Sequence, residues 1–376
     1  MKVLHLISGR GPTGAAAAAM TDVKALLAAG HTAMLATRDD SGLMQACKQE
    51  ALPCVGGFKF GRGAMRLLHL PHDVRRLRAL LRELSIDVLH VHRSNDQLLS
   101  AAALGRTFAV RLVRTWHRDP ISVPRLLLSR LAAQVDGCVC VSREHAQTLN
   151  SAGASACEYI PVAVDTEVFR PGEARGQEPR AKSQELIFRI GQVGRWKLGH
   201  DGRDRGQAAA LDVFAELARD LHWRGLLIGR GELGEQLRQT AYTEKGLPKD
   251  RVELIEFQKH SPAEFAALLS TLHLGLLFNT GSDGTSRTGA ELLACGVPLV
   301  VADRPGLREL AEDTACALRQ LPDDARGWAR AVEDLLRNPE RLAEMSVAAR
   351  RRAEQVHSLK ARGEALGEFY RQAPGR

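Results

Sequence analysis

Short apolar runs alternate with helix-length segments along this chain, and the alternation runs through twice. The first pass reads "KVLHLIS", a helix from about Gly14 to Ala29, "HTAMLAT", a helix around Leu43 to Glu50, a basic helix Asp73 to Leu84 and "DVLHVH". It continues with a helix Gln97 to Leu104, "VRLVRTWH", a helix Pro124 to Gln134, "GCVCVS" and a helix Glu144 to Ala152. The second pass begins at "LIFRIGQVG", followed by a helix Gln207 to Asp220, "GLLIGRG", a helix Glu232 to Lys245 and "RVELIEF". A helix Pro262 to Leu269, "LGLLFN", a helix about Thr288 to Cys295 and "PLVVAD" complete it. Strands and helices alternating at these lengths build parallel sheets covered on both faces. The predicted class is α/β, with two doubly wound, Rossmann-like domains. The first spans residues 1–170 and the second 187–355, joined by a polar linker at 171–186 that holds "GEARGQEPRAKSQE". Ligands of such sheets bind beyond the carboxyl ends of the strands, so the two halves are expected to face across a cleft and share one site.

The balance of 44% hydrophobic and 26% charged residues is that of a globular chain with ample core. A formal net charge of +8 suits phosphates or an anionic lipid surface. Nucleic acid is disfavoured, because aromatics are only 5% and no zinc-finger or RNP-type motif occurs. The seven cysteines are odd in number and lack C-x-x-C spacing, which argues against a disulfide framework or a zinc site. Cys138 and Cys140 fall on one face of a strand and read as core. "MKVLHLIS" is too short an apolar run for a secretory signal and no later run reaches 18 apolar residues, so a cytoplasmic location is expected.

Two stretches carry chemistry. In "HLISGRGPTGAAAAAM", Gly9, Gly11 and Gly14 follow a strand and precede a helix, the G-x-G-x-x-G arrangement that brings a phosphate to a helix N-terminus. A dinucleotide, another diphosphate, or a plain strand-to-helix turn all satisfy it. In "NTGSDGTSRTGAELLACGVPLVVAD", Asp283 precedes a turn-like "GTSR" run and Glu291 lies in the helix after it. A loop at a helix N-terminus offers free backbone N–H groups to a diphosphate, and nearby carboxylates accept hydrogen bonds from sugar hydroxyls. Arg195 after a strand and Arg205 near a helix start are always-charged groups able to neutralise a leaving diphosphate. His90 and His92 alternate on "VLHVH", but a metal site wants a further ligand that the sequence does not place.

These motifs resemble the family-4 retaining glycosyltransferases of the GT-B fold, whose pattern E-G-F-G-x(4)-E followed by A-x-G-x-P-V-V reads here "DGTSRTGAELLACGVPLVV". The resemblance runs through nearly the whole chain. "VSREHAQTLNSAG", "IPVAVDTEVFRP", "QVGRWK", "RGQAAALDVF" and "LLIGRGEL" are similar to further family segments. It implies that Glu291 accepts the donor ribose hydroxyls, that Asp283 engages the donor sugar, and that the backbone of Thr285, Ser286 and Arg287 faces sugar and phosphates. It places Gly14 against the diphosphate and His117 near the donor sugar and the acceptor. It also implies that residues from about 356 to 376 cross back onto the first domain, with Phe369 and Tyr370 as anchors.

The implied reaction transfers a sugar from a nucleoside-diphosphate sugar, with uridine diphosphate the commonest in the family, to a glycan or lipid-linked acceptor. Retention at the anomeric carbon and no metal or other cofactor are expected, in bacterial envelope glycan synthesis such as lipopolysaccharide or capsule. Asp283 stands where the family has Glu, Thr285 and Ser286 replace Phe and Gly, "PVAVD" lacks the family's Asn and Gly, and Ala16 replaces a common Glu. These departures bear on the donor sugar and leave the diphosphate machinery in place. The rival readings are a nucleotide-sugar epimerase on the same fold, a non-catalytic sugar-nucleotide-binding protein and an NAD-dependent reductase. The helix "HDVRRLRALLREL" sets Val74, Leu77, Leu81 and Leu84 on one stripe with Arg75, Arg78 and Arg82 outside it, an arrangement suited either to a core or to an anionic membrane.

Overall fold

The computed structural model describes the chain except for residues 13, 62–64, 106–107, 118–119, 121–122, 173–186, 200–201, 203, 258–260, 279–282 and 375–376, and the side chains of 283–285. The expected linker thus lies, from residue 173 onward, outside the described residues. The chain forms two compact units, Met1–Ala163 with Ser358–Arg376, and Val164–His357.

The first unit is built on a seven-stranded sheet in the order β3-β2-β1-β4-β5-β6-β7. The strands are β1 (Lys2–Leu6), β2 (Thr32–Arg38), β3 (Cys54–Phe58), β4 (Val88–Val91), β5 (Arg111–Trp116), β6 (Gly137–Cys140) and β7 (Cys157–Tyr159). All pairings are parallel. Strand alternation sorts side chains between two cores. Leu4 and Leu6 enter one with Cys138 and Cys140, while Val3 and Ile7 enter the other. The second core lies under α1 (Ala15–Ala28) and α13 (Leu359–Gln372), which pack on each other and bury Leu366, Phe369 and Tyr370. The contact is close: a Cβ on Gly363 would stand 1.9 Å from the Ala25 carbonyl oxygen. Only glycine allows that approach.

The second unit has a six-stranded parallel sheet in the order β10-β9-β8-β11-β12-β13. These are β8 (Phe188–Val193), β9 (Trp223–Gly229), β10 (Val252–Glu256), β11 (Leu274–Leu277), β12 (Leu299–Ala302) and β13 (Ala317–Gln320). In each sheet the chain works outward in one direction from a central strand and then returns to its other side. The reversal falls between β1 and β4 and between β8 and β11. Such switch points open a crevice beyond the strand ends.

Several local expectations change. Strands β3, β7 and β13 were not anticipated; each is an edge strand, and "CVGGF", "CEY" and "ALRQ" lack the apolar runs of the central strands. The basic helix begins at Met65, not Asp73, as α3 (Met65–Leu84), continuing through Pro71. Its arginines are not uniformly free for lipid: Arg78 donates to the Ala102 and Ala103 carbonyls, Arg76 donates to the Gly56 carbonyl, and Arg82 lies over the Phe108 ring. The helix expected over Glu232 to Lys245 divides into α8 (Gly234–Arg238) and a π-helical turn, Gln239–Glu244.

Candidate active site

At the switch point of the second unit, β8 ends at Val193 and the chain passes through Gly194 to Arg195, which is exposed. The next side chain, Trp196, is fully buried, and its backbone N–H donates to the Arg230 carbonyl beyond β9 at 2.9 Å. A buried anchor beside an exposed arginine fixes the direction in which the guanidinium leaves the surface. Arg205 precedes α7 (Gln207–Glu216) and is half-buried. Two buried glutamines tie these arginines into one frame. Gln207 accepts from the Arg205 backbone N–H at 2.8 Å and donates to the Arg195 carbonyl at 3.3 Å. Gln192, inside β8, donates to the Arg205 carbonyl at 3.1 Å.

The N-terminus of α7 already has an anion. Asp204 accepts from the backbone N–H groups of Gly206 and Ala208, at 2.7 and 2.8 Å. This leaves α10 (Asp283–Ala294), which follows the neighbouring strand β11, as the helix whose first turn faces the same switch point. The "GTSR" run is not a loop ahead of the helix, as expected, but its first turn. Thr285 therefore falls among the first amides without an intrahelical partner, while those of Ser286 and Arg287 enter the helical ladder. Ser286 is buried and its hydroxyl donates to the Gly306 carbonyl at 3.3 Å; Arg287 is half-buried. Glu291 is 5% exposed, so it is not the solvated helix carboxylate that its sequence setting alone would suggest.

In the first unit, Gly14 is the residue ahead of α1, exposed, with φ 55° and ψ −126°. That backbone is open to glycine and strained for any side chain. Ser8, in the loop after β1, donates its N–H to buried Asp96 of α4 (Ser94–Leu104) at 3.2 Å. Burial pushes the Asp96 carboxyl up to about 7. His117 follows β5 and begins a stack of imidazoles: its Nε2 pairs with His92 Nδ1 at 3.1 Å, and His92 Nε2 pairs with His5 Nδ1 at 2.9 Å. His90 pairs with the Tyr370 hydroxyl at 2.6 Å and the Thr115 hydroxyl at 2.7 Å. Burial pushes His5 down to about 4 and His90 and His92 well below the ordinary histidine range. The further ligand that the sequence did not place for His90 and His92 exists in space, since His5 and Asp22 bring one ligand-type atom each into the same cluster, all within 4.8 Å. Both His90 nitrogens are engaged in hydrogen bonds, while His5 Nε2 and Asp22 Oδ2 are buried without a hydrogen-bond partner.

The Glycosyltransferase Family 4 profile matches residues 12–168, and the Glycosyl transferases group 1 profile matches residues 188–338. The chain is a GT-B-fold glycosyltransferase. It is related to the family-4 and group-1 glycosyltransferases. It is similar to the GDP-mannose-dependent alpha-(1-6)-phosphatidylinositol monomannoside mannosyltransferase of Mycolicibacterium smegmatis, 27% identical over 322 residues, 81% of each chain. The phosphatidyl-myo-inositol mannosyltransferase of the same organism is 26% identical over 299 residues, covering 78% of this chain and 72% of that one. Among solved structures, Anabaena Alr3699/HepE in complex with UDP and glucose superposes with a TM-score of 0.74 at 19% identity, covering 99% of this chain and 100% of the other.

In this glycosyltransferase Arg195 and Arg205 follow the switch-point strand β8, and α10, which follows the neighbouring strand β11, opens with Asp283 and Thr285, carries Ser286 and Arg287 next, and holds Glu291 further along. Gly14 and His117 lie at the switch point of the other unit. Gln192, Gln207, Asp204 and His5 do not stand out in the sequence. The glutamines had a weak signal, one inside an apolar strand and one at the first position of a helix, where buried polar groups demand partners. His5 had none beyond its place in β1.

Proposed function

We propose that this glycosyltransferase moves a sugar from a nucleoside-diphosphate sugar to an acceptor hydroxyl, with retention at the anomeric carbon and without a metal ion. One observation carries the reading: two permanently charged arginines are tied to the same buried Gln207, at the switch point that α10 also faces. Cleavage of the donor develops negative charge on the departing diphosphate. Arg195, Arg205 and the first turn of α10 are preorganised to receive it. Buried Glu291 supplies acceptor oxygens for the ribose, and Asp283 for the sugar. The leaving phosphate oxygen takes the acceptor's proton on the same face, which preserves configuration, and His117 serves the same transfer.

The acceptor class we assign is a lipid-linked or envelope glycan, handled on the cytoplasmic face of a membrane. The two curated relatives are named as mannosyltransferases of phosphatidylinositol monomannoside and of phosphatidyl-myo-inositol. The first unit also exposes Met65, Leu67 and Leu68 beside Arg66, and Leu126 and Leu127 beside Arg125 and Arg130. Apolar side chains interleaved with arginines match an anionic interface. No described helix is long and apolar enough to cross a membrane.

The test is calorimetric titration with UDP, GDP, ADP and NAD on the wild type and Arg205→Ala, then a transfer assay with the sugar nucleotide that binds. Nucleoside-diphosphate binding that weakens in the variant and transfer with the donor's anomeric configuration are expected. NAD binding that persists in the variant, with no diphosphate binding in the wild type, overturns the reading. Conversion of the donor's sugar without acceptor identifies an epimerase instead. Failure of vesicles containing anionic lipid to bind the protein at low salt refutes membrane docking.

A further inference from the structure

We propose that the buried series Asp22, His5, His92 is a positioning device that holds His117 in one neutral tautomer, with its proton on Nε2. The inference rests on the reading that His117 serves the transfer reaction. The four residues come from α1, β1, the end of β4 and the end of β5, and two hydrogen bonds join the three histidines in one line, with Asp22 at its inner end. His117 Nε2 meets His92 Nδ1 and His92 Nε2 meets His5 Nδ1, with ring centroids 5.3 and 5.2 Å apart.

The direction of the line is decided at its inner end. Asp22 is 1% exposed; its Oδ1 accepts from Arg362 Nε at 2.5 Å. Among the atoms of the His5, Asp22, His90 and His92 cluster, Asp22 Oδ2 and His5 Nε2 are the two that are buried without a hydrogen-bond partner. A carboxylate is an acceptor only. With ligand-type atoms of Asp22 and His5 within 4.8 Å of each other, the carboxylate attracts a proton on the otherwise unpartnered His5 Nε2 and repels a lone pair there. A neutral imidazole carries one proton, so His5 Nδ1 must then accept, and His92 donates to it from Nε2. His92 Nδ1 accepts in turn, and His117 donates to it from Nε2.

His90 stands outside this line because Tyr370 and Thr115 hold both its nitrogens. Burial keeps His5 and His92 uncharged at neutral pH, as the single-proton argument requires. The consequence for catalysis is electrostatic. A neutral, fixed imidazole adds no positive charge to a reaction whose sugar develops positive charge.

The test is long-range ¹⁵N–¹H correlation on full-length protein labelled in histidine, without donor, with His117 assigned through His117→Gln. A protonated Nε2 and an unprotonated Nδ1 are expected. His92→Phe, which fills the space without an acceptor, is expected to give mixed tautomers at His117, and His92→Asn, whose amide oxygen replaces Nδ1, to restore the single one. In the transfer assay His92→Phe lowers kcat about tenfold or more with donor KM little changed, and His92→Asn recovers most of it. Asp22→Asn removes the acceptor-only charge and gives a second test, with mixed tautomers expected. Wild-type His117 protonated on Nδ1, a charged His117 at neutral pH, or an unchanged tautomer in either His92→Phe or Asp22→Asn overturns the proposal. Unimpaired transfer by His117→Gln, with the tautomer results as expected, refutes instead the reading that His117 serves transfer.

Discussion

Arg362→Leu tests what holds α13 on the first unit. The Arg362 side chain is 5% exposed and makes three bonds: Nε to Asp22 Oδ1 at 2.5 Å, and Nη1 to the carbonyls of Ile160 and Pro161 at 3.1 and 2.6 Å. Leucine keeps much of the packing volume and removes all three. The larger effect is on what remains, because a carboxylate 1% exposed is left without its counter-charge. Removing one member of such a pair costs about 3–5 kcal/mol, and stranding the two carbonyls adds to it without strict additivity. For a unit of this size about 2–4 °C is lost per kcal/mol, so the melting transition of the first unit should fall by about 6–20 °C. The double variant Asp22→Leu with Arg362→Leu removes the orphaned charge and should recover most of the loss. The assay is thermal and urea unfolding with hydrogen exchange read on α1 peptides, which assigns the effect to this unit. A loss below about 1 kcal/mol, or a double variant no better than Arg362→Leu, would refute the reasoning.

At the second unit, Arg205→Ala should weaken nucleoside-diphosphate binding by about 1.5–3 kcal/mol, tenfold or more by calorimetry, since it deletes a charge-assisted contact. Glu291→Gln should weaken nucleotides bearing ribose while leaving inorganic diphosphate binding intact, because an amide replaces one acceptor oxygen with a donor. Gly14→Val has open space for its side chain, so its cost is the backbone at φ 55°; about 1–3 kcal/mol of stability should be lost. Acid should destabilise the first unit. His5, His90 and His92 have depressed pKa values in the fold, so the unfolded chain binds more protons than the folded one as pH falls below the ordinary histidine value. For His5, between about 6.5 and about 4, this removes about 3 kcal/mol. Asp96, raised to about 7, runs the opposite way and offsets one histidine's share. A melting temperature that does not fall from pH 7 to pH 5 would contradict that balance.

The amino-acid sequence by itself determined the two parallel sheets, because their central strands are buried on both faces and must be written as apolar runs. Arg195 and Arg205 were legible as candidates because one follows a strand and the other precedes a helix, whereas Glu291, well inside α10, was reached only through the family resemblance. Three of the four edge strands escaped, since β3, β7 and β13 are paired on one side and tolerate glycine, glutamate and arginine, while the edge strand β10 was legible in "RVELIEF". The start of α10 escaped because "DGTSR" has turn residues, which also serve as a first helical turn. What only the tertiary structure decided is the support beneath the site. Asp22 and Arg362 are 340 residues apart, His90 and Tyr370 are 280 apart, and Gln207 acts through the backbone of Arg195 and Arg205. No local pattern marks these contacts. Each exists because a polar group buried by the packing of distant elements must find its partner wherever the fold delivers one.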